Sequence, residues 1–202
     1  DAGVALANDL YRAFEGRGYR VMMAPSGHTL QRCAVEQREK PPKETRRNDY
    51  ESNDIWWTER PTLAYVGEVA FGITIFETSE NVEMIYLNGD YVPTSTIAPD
   101  RLVRLRAQSH HWTTRKDRPS GRLTIQVYSP YQGVSWKRTW TDVGQGSSTA
   151  FGAIVDTLVA AVPTINELRK QADEKARQRA IEWEESKARW AREEAARQRA
   201  AK

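Results

Sequence analysis

Hydrophobic positions along the chain follow two periods, and the alternation between them marks the elements. Val4, Leu6, Leu10 and Phe14 fall near helical spacing and are followed by Gly16 and Gly18, which stop helices by accepting a left-handed backbone, so a helix is expected over 3–15. Tyr19 to Ala24 is a short apolar run closed by Pro25, Ser26 and Gly27, which reads as a strand. From Gln31 to Pro61 the pattern dissolves into polar, proline-broken sequence, and residues 35–61 are expected to be an exposed insertion.

Period two then dominates. Leu63–Val66 and Val69–Phe76 flank Gly67-Glu68, a hairpin with Gly at the first turn position as a type II′ loop requires. Val82–Leu87 and Asp90–Val92 flank Asn88-Gly89, the strongest short hairpin signal. Ala98–Ser109 returns to helical spacing, with Pro99 at a natural first helical position and Leu102 and Leu105 on one side. Leu123–Tyr128 and Val134–Thr141 are the last two expected strands, with Val134, Trp136 and Trp140 sharing a face.

The C-terminal part is helical throughout. Ile154, Val155, Leu158, Val159 and Val162 form a wide apolar stripe. Pro163 interrupts it, and Thr164-Ile165-Asn166-Glu167 has the form of a capping box, so a break and a restart are expected there. Beyond it the chain has neither Gly nor Pro, and oppositely charged residues recur four apart: Asp173 with Arg177, Glu185 with Arg189, Arg189 with Glu193, and Glu193 with Arg197. Trp183 and Trp190, one heptad apart, are the large apolar residues available for docking or for a coiled coil. The alternative is a solvated charged helix.

Composition sharpens this division. Residues 167–202 hold eleven Lys/Arg and eight Asp/Glu, so the tail carries the whole formal charge of +3 and the head is balanced. A head over 1–163 of one-domain size and a charged helical tail over 164–202 follow. The fold class expected is α+β: an antiparallel sheet packed by the N-terminal helix and the 147–162 helix, with the tail protruding. Ile154–Val162 is short of the roughly 20 apolar residues that span a bilayer, and the opening residues lack the form of a signal peptide. Cys33 is the single cysteine. These features point to a cytoplasmic protein that does not engage a membrane.

The residues AFEGRGYRV, GEVAFGITIFE and SGRLTIQVYSPYQGVSWKRTWTD, with an apolar helix running into EEAARQRA, resemble an uncharacterised bacterial family of α+β domains. Members are often preceded by a segment like helix-turn-helix domains and followed by an Arg/Glu-rich helical tail. The resemblance implies a DNA-linked context and carries over no catalytic residue.

Candidate chemistry is sparse. His28, His110 and His111 do not supply the three or four fixed ligands that zinc takes, and no G-x-S-x-G elbow occurs, so no metal, cofactor or catalytic residue is assigned and the chain is read as non-enzymatic. Glu36, Glu39 and Lys40 are the nearest approach to a metal-dependent nuclease site, set in a polar loop. Gly144 to Ser148 before a helix lacks the lysine of a phosphate-binding loop and reads mainly as a cap.

The larger signal is a basic run: Arg101, Arg104, Arg106, Arg115, Lys116, Arg118 and Arg122 with Trp112, opposed within the span only by Asp117. Such a run can neutralise phosphates while Trp112 stacks on a base, giving affinity for a nucleic-acid backbone without sequence readout. Against this, arginine stems can cover a sheet or pair with acids elsewhere. Trp56 and Trp57, with Trp183 and Trp190 in the tail, support the alternative of a protein-interaction or self-association module.

Overall fold

The computed structural model describes residues 2–39, 60–108, 112–142 and 148–200. Helix α1 (Ala2–Glu15) buries Leu6, Leu10 and Phe14. It ends as the glycines require: Gly18, at φ 78°, donates its N–H to the Glu15 carbonyl, and Tyr19 donates to that of Phe14. This is the paired bonding of a Schellman cap.

The expected sheet forms, antiparallel and six-stranded: β1 (Arg20–Met23), β2 (Thr62–Val66), β3 (Val69–Leu87), β4 (Asp90–Pro93), β5 (Thr113–Tyr128) and β6 (Lys137–Thr141). The order is β1-β2-β3-β5-β6, with β4 also paired to β3. Both hairpins close as expected. Asn88 and Gly89 both have positive φ, the requirement of a type I′ turn. Two pairs of expected elements differ. The strands expected at 69–76 and 82–87 are one strand of nineteen residues, and β5 begins ten residues before Leu123, so that these two strands pair as a ribbon beyond the core. Val134 and Trp136 precede β6 rather than lying in it, although both still pack on the core.

One face of the sheet presents Ala64, Val66, Phe71, Ile73, Ile125 and Val127 to α1 and to helix α3 (Ser148–Ala200). From α3 come Phe151, Ile154, Val155, Leu158, Ala161 and Ile165. Arg17, just past α1, forms an ion pair with Asp156 of α3. The other face carries Leu63, Ala70, Gly72, Thr78, Thr124, Gln126 and Tyr128, and the chain after β1 lies against it: Ala24 and Leu30 pack with Leu63 and Ala70. Gln126 donates from Nε2 to the Ala34 carbonyl at 3.2 Å, and Ser79 exchanges backbone bonds with Gln37 and Glu39. Residues 35–39 are therefore fastened to the sheet rather than part of a loose insertion. Residues 40–59 lie outside the described residues.

The break expected at Pro163 does not occur. Helix α3 runs for 53 residues through the proline, about 80 Å at 1.5 Å per residue. Proline removes the bond to the Val159 carbonyl, but Pro163 and Val159 are both exposed, and the opposite side keeps Ile165 buried with Leu168 and Ala172 packed behind it. Continuing the apolar contact outweighs one lost bond on the wet side. Thr164–Glu167 is thus helix interior rather than a cap. An 18-residue window of α3 reaches a mean hydropathy of 1.4, with about a third of it buried inside the protein.

Gly72 lies under the Tyr128 ring, where an added Cβ would fall 2.3 Å from ring atoms. Gly72→Ala should therefore cost about 2–3 kcal/mol in chemical denaturation, the usual scale of overpacking. Combining it with Tyr128→Ala should cost less than the sum of the two single substitutions, because they relieve one clash.

Candidate interaction surfaces

The basic run is divided among elements that face different ways. Arg101, Arg104 and Arg106 lie on helix α2 (Pro99–Arg106), whereas Arg115, Lys116, Arg118 and Arg122 lie on β5. Alternation along a strand sends neighbours to opposite faces, so Arg115 points away from the side that Lys116 and Arg118 share. The register also brings acids opposite: Glu83 faces Arg115, and Glu80 faces Arg118. Glu83 accepts from Arg106 Nη2 at 2.8 Å. The expectation that only Asp117 opposes this charge therefore fails, because the counter-charges come from β3, distant in sequence but directly across the ladder.

Arg122 is the most firmly held of the set. Its guanidinium donates to both carboxylate oxygens of Glu39, at 2.7 and 2.8 Å, and to Glu80 at 3.3 Å. The buried Thr78 hydroxyl donates to Glu39 at 2.8 Å and lies 2.7 Å from that of Ser120. The hydrogen bond from Arg122, then that from Thr78, hold the Glu39 carboxyl at about 2, well below its ordinary value. Glu36 is likewise lowered, chiefly by its bond with Arg38. These two acids of the nuclease alternative are each engaged by an arginine, and Lys40 lies outside the described residues. Among the described residues no group of three or more His, Cys, Asp and Glu assembles.

Trp112 belongs to a cluster that the basic pattern does not reveal. Its ring stacks on Tyr86 with centroids 4.7 Å apart, its Nε1–H donates to Tyr91 Oη at 3.3 Å, and Lys116 Nζ stands 3.4 Å from the Tyr91 ring centroid. Tyr86 and Tyr91 are equidistant from the Asn88-Gly89 turn and pair directly, so this contact was readable from the hairpin. Trp112 remains 54% exposed.

The tail offers a different surface. From Asp173 to Arg199 the side chains are exposed, with Ser186 half-covered. Ile181, Trp183 and Trp190 are 60%, 69% and 73% exposed. Among the described residues none of the four expected charge pairs closes to ion-pair distance; the tail's side-chain bonds include Arg179 to the Lys175 carbonyl. Trp56, Trp57, His110, His111 and Gly144–Ser147 lie outside the described residues, and of Ser148 only its place in α3 is described.

No family model, curated protein or solved structure matches this chain.

The Glu39 cluster sets a pH dependence. A carboxyl held below its ordinary 4.5 contributes stability fully above that pH, and the contribution fades as pH falls from 4.5 toward 2. Glu39→Gln should lower the denaturation midpoint at neutral pH, with the difference from the unmodified protein narrowing over that interval. A difference constant from pH 7 to 2 would exclude the ion pair as its source.

Proposed function

We propose that this chain is a non-enzymatic interaction module, in which the sheet and its helices form a rigid head and the outer half of α3 docks a protein partner. The observation that carries this reading is the exposure of Trp183 and Trp190 on a helix that leaves the head after Ala172. Large aromatic rings are the side chains that most often anchor interfaces, since each contributes wide apolar area at low entropic cost. They stand where removing them takes nothing from the core.

A second reading is phosphate-backbone binding by the distal ribbon. It is favoured by the exposed Trp112 beside Lys116 and by exposed Arg101 and Arg104, and the family resemblance adds a DNA-linked context. The acids opposite Arg115 and Arg118 and the engagement of Arg106 and Arg122 weaken it, because opposed charges release fewer counterions.

The two readings separate in one set of variants. Trp183→Ala with Trp190→Ala should leave the denaturation midpoint unchanged within error and abolish crosslinking from a photoreactive group placed at Lys187, four residues after the first ring and three before the second on the same helix face. Salt-sensitive duplex-DNA anisotropy that survives this change, and is lost in Arg101→Glu with Lys116→Glu, would instead favour the ribbon.

A further inference from the structure

Helix α3 has a weak point and, beyond it, a set of contacts that hold its outer part. Pro163 has no N–H, so the Val159 carbonyl lacks its donor within the helix, and both residues are exposed. The helix is continuous there, yet it lacks the bond that resists bending on that side. The direction of the tail is therefore set by what the helix touches past Pro163. Among the described residues those contacts end at Ala172, with Leu168 partly buried before it.

Two of these contacts come from the loop 129–136, which joins β5 to β6. Tyr131 presents its ring to Arg169, whose guanidinium carbon stands 4.1 Å from the ring centroid. Gly133 passes so near the helix that an added Cβ would fall 3.3 Å from the Cβ of Ala172. The loop is itself fastened to the head. Tyr131 Oη accepts from the Ala70 N–H at 2.8 Å, and the Pro130 carbonyl accepts from the Gln31 N–H at 2.7 Å. Val134 is buried in the same core as Ile165. The sheet and the chain after β1 thus both brace the loop against which the tail rests.

We infer that α3 is a hinged lever: Pro163 is the hinge, and the loop 129–136 is the catch that fixes the direction of the tail through Arg169 and Ala172. This goes beyond the docking of a partner, since it concerns where the tail points, and it holds whether or not Trp183 and Trp190 bind one. Ile165 lies two residues past the pivot, about 3 Å along the axis, so it keeps its place in the core while the tail turns. Trp190 lies 27 residues past Pro163 (190 − 163), about 40 Å of helix, so a turn of about 20° at the hinge displaces it by about 14 Å. Releasing the catch therefore moves both exposed rings relative to the head.

The test is double electron–electron resonance on the full chain carrying Cys33→Ser, with nitroxide labels on Glu68→Cys in the β2–β3 turn and Gln178→Cys on the tail, both exposed positions. The parent should give one narrow distance distribution. Arg169→Ala with Ala172→Glu removes the ring contact and sets a bulky charge against Gly133. This pair should widen the distribution about twofold or more, with helix content by circular dichroism unchanged. Adding Pro163→Ala should restore the narrow distribution, because the regained backbone bond stiffens the hinge. A parent that is already broad, or a distribution unmoved by the two substitutions, would overturn the catch. A widening that comes with loss of helix content, or that Pro163→Ala leaves in place, would overturn the hinge.

Discussion

One apolar stripe along α3 holds the molecule's layers together. Phe151, Ile154, Val155, Leu158, Ala161 and Ile165 meet the sheet and α1 in a single core, and each large side chain buried there contributes about 1.5–3 kcal/mol. A surface charge pair on a helix is worth roughly 0.2–0.5 kcal/mol, so packing rather than charge pairing fixes the direction of the helix. Proline in a helix interior costs about 3 kcal/mol, comparable with the gain from burying Ile165 and covering Leu168. The helix accordingly crosses Pro163 without a break and leaves the head only after Ala172, where sheet and loop contacts end.

The second face of the sheet follows a different logic. It is rich in hydroxyl and amide groups, and a buried polar group needs a partner. The chain from Ala24 to Glu39 supplies both cover and partners, through the Ala34 carbonyl, the Ser79 backbone pairing and the Glu39 carboxylate on Thr78 and Arg122. A segment too polar to make a core can thus be well fixed when the surface beneath it is polar as well.

Charge on the distal ribbon shows how far a run in sequence differs from a surface in space. Alternation splits Arg115 from Lys116 and Arg118, and the antiparallel ladder places Glu83 and Glu80 opposite the arginines. Opposite charges across a ladder stabilise the pairing of the strands themselves. The same residues that would gather phosphate also hold β3 to β5, and Arg122 is drawn inward to Glu39.

Local rules determined the elements of this chain: the Gly18 stop of α1, the Asn88-Gly89 turn and the alternation of Phe71, Ile73 and Ile125 all act over a few residues, so sequence alone carried the α+β class. The charged, exposed α3 tail and its two rings were legible for the same reason, since a helix with no neighbour is governed by its own spacing. Tertiary structure decided whatever depended on a distant partner. The joining of 69–76 to 82–87 needed β5 alongside, the continuity through Pro163 needed the core beneath Ile165, and the fate of the basic run needed the acids of β3. Each is a contact between residues far apart in the chain, whose energy no local pattern records.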